Sequence, residues 1–180
     1  SLNNALSNSS AKYDGSSNAC PYIKNDIDTR NGIVYAIVGS SGNVSTEKSP
    51  GYPHNAMYYS DVTNPGSMIL NIEDNRLQAK WLCGDNVIRG QFTIFKNVGK
   101  SQTIEVESGQ PISLKASWAG NHIWSVGAAE REVNVIPVSD TIIIVSDLYN
   151  CLSDTFNLKL KNTTGITSPQ KSPFIIYPSK

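Results

Sequence analysis

Residues 67–96 read SMILNIEDNRLQAKWLCGDNVIRGQFTIFK, and this stretch decides the fold class of the 180-residue chain. Within it, apolar residues at 77, 79 and 81 alternate with polar residues at 76, 78 and 80. That period of two is typical of a strand with one buried face. Asp74-Asn75 and Gly84-Asp85-Asn86 are turn sequences, so the stretch predicts a β-meander whose three strands are Ser67–Glu73, Arg76–Leu82 and Val87–Lys96.

The rest of the chain also favours β structure. Charged residues make up only 17% of it, and Asn, Ser, Thr, Gly and Pro are abundant, which is typical of short strands joined by many turns. Ile33–Val38 is a continuous, β-branched apolar run, which predicts a strand buried on both faces. Residues 46–65 contain three prolines and predict a long ordered loop. We therefore expect an all-β fold.

The predicted strands fall into two groups, which suggests two domains. After a Gly- and Lys-containing segment at 98–101, short apolar runs recur at regular spacing, as a small two-sheet sandwich requires. These runs are Gln102–Val106, Pro111–Trp118, His122–Ser125, Arg131–Ile136, Thr141–Ser146 and Thr155–Leu160. We expect a first domain over residues 1–97, a sandwich over 98–160 and a linker or tail over 161–180. Residues 1 to about 30 are polar and predict an extended covering segment.

Charge and hydropathy exclude two classes of partner. Fifteen basic residues balance fifteen acidic ones, and the sequence has no basic stripe. We therefore expect no nucleic-acid partner. The longest apolar run, Ile142–Val145, is far shorter than the roughly 20 residues needed to span a bilayer. Residues 1–4 lack the features of a signal peptide, so we expect any targeting segment to have been removed or to lie upstream.

Three cysteines, Cys20, Cys83 and Cys151, show neither the CxxC spacing nor the neighbouring histidines of a zinc site or redox pair. An odd number leaves at least one thiol free. We expect buried small side chains with one bridge, for which Cys20 to Cys83 is the candidate pairing, and the alternative is a reactive thiol.

No pattern predicts a self-contained active site. His54 and His122 lie in different predicted domains and outside any metal-binding motif, and neither a GxSxG elbow nor a P-loop occurs. Three carboxylate pairs stand at turns or exposed strand positions, where solvated surface is the simpler interpretation: 26 and 28, 73 and 74, and 130 and 132. His54, with Tyr58 and Tyr59, is the candidate rim of a pocket; the alternative for His54 is a local hydrogen bond in the loop. We predict no catalytic, cofactor-binding or metal-binding residue in this chain.

Gly32–Gly42, Pro53–Ser60 and Gly66–Leu77 together resemble the closing part of calcineurin-like metallophosphoesterases of the purple acid phosphatase type. In that family the last strands of the catalytic sandwich follow a Gly-His-x-His motif that supplies metal ligands. The resemblance covers roughly residues 15–97 and places that motif before Ser1. It implies a parent phosphatase with a two-metal centre of iron, zinc or manganese acting on a phosphoester, while this part of the chain is inert.

The second group of strands resembles the immunoglobulin-like repeats of bacterial surface proteins, in which a Trp-Ser-x-Gly strand precedes a late cysteine. Trp124–Gly127 and Cys151–Asp154 carry that likeness, with Ile112–Leu114 and Glu132–Val135. Phe174–Pro178 resembles the opening of the C-terminal sorting domain used in type IX secretion. Together these likenesses imply a secreted or cell-surface bacterial protein.

Three hypotheses follow. The first is the C-terminal, non-catalytic region of a secreted phosphoesterase. It predicts an unmet apolar face at residues 33–38 that is covered by the N-terminal segment, by a second copy of the chain through self-association, or not at all. The second is a surface-adhesion or carbohydrate-binding module, which requires Trp81, Trp118 or Trp124 on the surface; we instead expect Trp118 and Trp124 in the core. The third, a self-contained enzyme, requires titratable groups that converge in one cleft.

Overall fold

The computed structural model describes residues 9–25, 33–39, 42–44, 50 and 52–161, and it is all-β. Its first sheet has the order β1-β4-β3-β2. The strands are β1 (Tyr22–Lys24), β2 (Gly66–Glu73), β3 (Arg76–Cys83) and β4 (Ile88–Lys96). The β-meander predicted from residues 67–96 is therefore confirmed, with bounds that differ by one residue at three strand ends.

One face of the first sheet carries apolar side chains from β2, β3 and β4. In the antiparallel register Leu70 lies opposite Ala79, and Ile72 lies opposite Leu77. Ala79 and Trp81 are buried, whereas Leu70 and Ile72 are 55% and 73% exposed on the edge strand. The face is thus covered over β3 and open over β2.

The N-terminal segment lies along β4, as the covering role predicted for it requires. β1 pairs with β4 in parallel. Upstream, the carbonyl of Ala11 accepts a hydrogen bond of 2.6 Å from the Thr93 amide, and Gln91 donates to the Lys12 carbonyl at 3.2 Å. These contacts bury Thr93 and Ala11.

The prediction of a buried strand at Ile33–Val38 is wrong. Residues 33–39 have no regular secondary structure, and Ile33, Tyr35 and Ile37 are 74%, 84% and 89% exposed. The physical reason is that an apolar run becomes a buried strand only where it pairs with neighbouring strands and is covered by them. No described strand pairs with residues 33–38.

Residues 101–160 form a sandwich of two sheets. One sheet has the order β5-β10-β9-β7 and the other pairs β6 with β8. The strands are β5 (Ser101–Val106), β6 (Ile112–Lys115), β7 (Ile123–Trp124), β8 (Glu132–Val135), β9 (Thr141–Ser146) and β10 (Ser153–Leu160). Each lies within or close to one of the six predicted runs.

The connectivity of this sandwich is immunoglobulin-like. β6 pairs with β8 as strands B and E do, and β7, β9 and β10 follow the C, F, G order of the facing sheet. No described segment takes the place of strand D, and β5 joins the second sheet in parallel with β10. Trp124 occupies the strand C position where immunoglobulin domains bury a tryptophan.

The core lies between the two sheets of the sandwich and continues into the first sheet. Its buried side chains are Phe95, Val98, Val106, Leu114, Ala116, Trp118, Trp124, Ile143, Val145, Leu152, Phe156 and Leu158. Phe95 belongs to β4, so the last strand of the first sheet packs into the same core as the sandwich. The domain bounds at 97 and 160 stay predictions.

The disulfide joins Cys20 to Cys151, and the predicted Cys20–Cys83 pairing is wrong. Cys20 precedes β1, and β4 lies between β1 and β3, where Cys83 is located. Two strand spacings amount to roughly 10 Å, beyond the reach of a disulfide. Cys83 is a free, buried thiol, as a small core side chain would be.

Candidate functional site

The loop with the candidate pocket rim is on the surface. His54 is exposed; its Nδ1 accepts a hydrogen bond of 3.1 Å from the Ala56 amide, and its carbonyl accepts one of 2.8 Å from the Met57 amide. These bonds agree with a loop histidine held by its own turn. Tyr58 is likewise exposed.

Tyr59 holds the loop against the first sheet. Its ring lies so close to Gly90 that a Cβ built on this glycine would come within 2.7 Å of it. Its hydroxyl donates to Asp61 at 3.4 Å. Partial burial, with the charge of Asp61, raises the pKa of Tyr59.

Asp61 organises the next turn. Desolvation raises its pKa, but hydrogen bonds from Asn64 and Thr63 outweigh that effect and leave the pKa below its usual value. Asp61 Oδ1 accepts from the amides of Thr63 and Asn64 at 3.0 and 3.1 Å. Every partner lies within three residues, which is the arrangement of a structural turn.

Two concavities formed by described residues are not lined by His54, Tyr58 or Tyr59. The smaller, of about 330 Å³, lies beside the Cys20–Cys151 bridge and is lined by residues 9–20 and the loop at 149–151. The larger, of about 580 Å³, lies where the first sheet meets the sandwich. A role for the three loop residues at a pocket rim stays a prediction.

The larger concavity, here named the junction cleft, collects side chains from both parts of the chain. Five cations and one carboxylate line it, together with amides, a hydroxyl and aliphatic side chains. Its lining residues are Ile72, Asp74, Asn75, Arg76, Leu77, Ile94, Lys96, Asn97, Lys100, Gln102, Lys115, Ala116, Ser117 and Arg131. The sequence showed no basic stripe because these cations are distributed over residues 76–131.

Polar contacts across the junction cleft fasten the first sheet to the sandwich. Arg131 forms an ion pair of 2.5 Å with Asp74 in the turn between β2 and β3. Asn75 in the same turn donates through Nδ2 to the carbonyls of Ser117 and Lys96 at 2.6 and 2.7 Å. Because these bonds connect the β2–β3 turn to residues 117 and 131, the cleft is a defined feature of the fold.

Two buried carboxylates stabilise loops. Asp154 is 1% exposed and accepts from the Lys100 amide at 2.7 Å and from Ser117 through both its amide and its hydroxyl. Asp147 accepts from the amides of Cys151 and Leu152, each at 2.7 Å, and so orders the loop that carries the disulfide. Both are fully engaged in structural hydrogen bonds.

Aromatic side chains connect that loop to the N-terminal segment. The Tyr13 ring packs edge-on against Phe95 and Tyr149, with ring centroids 5.5 and 5.3 Å apart. Burial, with the nearby charge of Asp147, raises the pKa of Tyr13. The covering segment is therefore held by packing next to the disulfide.

The described residues contain no group of three or more His, Cys, Asp or Glu side chains placed to hold a metal ion. His122 is buried, with Nε2 3.1 Å from the Trp118 carbonyl. Of the carboxylate pairs, Glu73 and Asp74 form ion pairs with arginines, and residues 26 and 28 lie outside the described part. Over the same described part, no helix is long and apolar enough to cross a membrane.

All three tryptophans are buried. Trp118 and Trp124 are 0% and 2% exposed, as predicted for core residues, and Trp81 is 9% exposed. Trp124 stacks on Phe156 at 5.7 Å and donates from Nε1 to the Glu130 carbonyl at 2.7 Å. The surface platform that sugar stacking on tryptophan requires is not formed by these side chains.

The strand order defines the chain as an all-β protein with an immunoglobulin-like sandwich. Among solved structures, the chain is similar, at low similarity, to the N-terminal four Ig domains of Dscam1 isoform 8.4, with a TM-score of 0.25 and 14% identity. It covers 51% of this chain, which spans 28% of that one. No family model and no curated protein matches. The phosphoesterase and sorting-domain likenesses therefore rest on the quoted residues alone.

Proposed function

We propose that this chain is a non-catalytic accessory region of a larger secreted protein. In this proposal the first sheet docks onto the rest of that protein, and the immunoglobulin-like sandwich acts as a spacer or docking module. The observation that carries the proposal is the open apolar face of β2, where Leu70 and Ile72 are exposed. Exposed apolar patches of this kind mark interaction surfaces.

The exposed run at residues 33–38 supports the same proposal. An apolar, β-branched segment that pairs with no described strand is expected where its partner strands belong to another part of the larger protein. The Cys20–Cys151 bridge supports secretion, because disulfides persist in oxidising compartments.

The proposal also assigns the larger protein to a class of enzymes. Its support is the sequence resemblance of residues 32–77 to purple acid phosphatases. On that basis the larger protein hydrolyses phosphoesters with two metal ions, iron, zinc or manganese, which activate a water and hold the phosphoryl oxygens. All the metal ligands would come from outside this chain. A second candidate, adhesion through exposed tryptophans, loses its basis because all three are buried.

The open face is tested by replacing Leu70 and Ile72 with glutamine together. Since both side chains are already exposed, the free energy of unfolding should change by less than about 1 kcal/mol. Binding of a fluorescent apolar dye should fall. The matched control, Ile142→Gln with Ile144→Gln, removes similar exposed side chains from the sandwich and should leave dye binding at the first sheet unchanged.

Two outcomes would contradict the proposal. A loss of several kcal/mol in the Leu70/Ile72 variant would show that the face is already buried in a core. A stable dimer in light scattering, abolished by the same variant, would show that a second copy of the chain covers the face. A monomer that binds the dye through this face is the expected result.

A further inference from the structure

The junction cleft combines positive charge with a ligand-sized volume. Its lining has five cations against one carboxylate, although the chain as a whole has no net charge. Its volume of about 580 Å³ falls within the roughly 300–1,000 Å³ common for ligand sites, which often lie where domains meet. The cleft is open to solvent, so a longer molecule can enter and continue past it.

The cations of the cleft differ in how they are engaged. Arg76 is paired with Glu73 at 2.6 Å and Arg131 with Asp74 at 2.5 Å, so both are partly neutralised. Lys100 and Lys115 are exposed and form no ion pair with any described residue. Lysine ammonium groups on flexible stems adapt to anions in varied positions. These two lysines therefore carry charge that no described carboxylate neutralises.

The uncharged side chains that line the cleft indicate which kind of anion it can bind. The Gln102 amide offers hydrogen bonds suited to sugar hydroxyls, and the Ser117 hydroxyl, which donates to Asp154, can still accept one. No aromatic side chain lines the cleft, which removes the stacking surface on which single-stranded nucleic acid depends. A chain of sugars with acidic groups fits this combination of free ammonium groups and hydrogen-bonding side chains.

We propose that the junction cleft binds a short stretch of an acidic polysaccharide, with Lys100 and Lys115 contacting its sulfate or carboxylate groups. The inference goes beyond the accessory role and does not depend on what the larger protein catalyses. Because Ile72 lines the cleft and also belongs to the open face of β2, the test uses this chain alone. Because sulfated and carboxylated polymers share this chemistry, the test uses one of each.

Binding is measured by calorimetry with dextran sulfate, polygalacturonate and neutral dextran at low and at physiological salt. The expected result is that one or both charged polymers bind, that neutral dextran does not, and that salt weakens the binding. The double variant Lys100→Gln with Lys115→Gln should weaken it at least about tenfold at low salt, because two contact charges are lost. Both side chains are exposed, so thermal unfolding should be unchanged.

The matched control removes the same charge elsewhere through Lys12→Gln with Lys80→Gln, and it should change affinity less than about twofold. Equal weakening by both double variants would overturn the proposal, since attraction would then be to the whole surface. Failure of both charged polymers to bind would overturn it as well. Inorganic phosphate or oligo(dT) binding as tightly as the polymers, with the same sensitivity to Lys100 and Lys115, would show a small-anion or nucleic-acid site instead.

Discussion

Replacing Cys20 and Cys151 with serine removes the one cross-link between the N-terminal segment and the sandwich in the described structure. The two cysteines are 131 residues apart. Closing a loop of that length costs the unfolded chain about 5 kcal/mol of conformational entropy at 25 °C, although measured effects of native disulfides are commonly about 2–5 kcal/mol. We expect the free energy of unfolding to fall by an amount within that range.

Urea denaturation followed by tryptophan fluorescence measures this loss, and it also tests the mechanism. If the bridge acts by restricting the unfolded state, its removal should increase the m-value, because a less compact unfolded chain exposes more surface. Cys83→Ala is the matched control; it removes a buried sulfur but no cross-link and should cost about 1 kcal/mol. A loss below about 1 kcal/mol in the double serine variant, with an unchanged m-value, would refute the reasoning.

Three further predictions concern packing and charge. Trp124→Ala should cost about 3–5 kcal/mol in chemical denaturation because its side chain fills the core, and Trp124→Phe should cost clearly less. Gly90→Ala should cost about 1–3 kcal/mol by collision with the Tyr59 ring, and a double-mutant cycle should show that Tyr59→Ala relieves most of this cost. The hydrogen bonds from Arg89 lower the pKa of Asp85 in the folded chain to about 2, below the unfolded pKa near 3.8. The stability that this pair contributes is therefore present above a pH of about 3.8 and is lost as the pH falls through about 2. NMR titration of Asp85 should show this midpoint, and Arg89→Gln should return it toward 3.8; an unshifted midpoint in the original chain would contradict the pairing.

Patterns that depend on local sequence were predictable. The alternation at residues 76–81 predicted β3, because the side chains of a half-buried strand repeat with a period of two. The strand positions of Trp118 and Trp124 predicted burial, since large aromatics inside a small sandwich dominate its core. Both predictions needed only neighbouring residues.

Features that depend on strand order were not predictable in the same way. The bridge from Cys20 follows from the parallel pairing of β1 with β4, which sequence spacing does not reveal. Ile33–Val38 has the composition of a buried strand, but burial requires neighbours that the described chain does not provide. The junction cleft has the same origin, because Lys100, Lys115 and Arg131 meet only after folding.

The central claim is that this chain is a non-catalytic accessory region. Its most direct test is an assay of the chain for metal binding and for turnover. The chain is incubated with zinc, manganese or iron, freed of loose metal, and assayed for bound metal and for hydrolysis of an aryl phosphate. We expect neither stoichiometric metal nor turnover. Tightly bound metal together with turnover would contradict the account, and His54 would be the first residue to substitute.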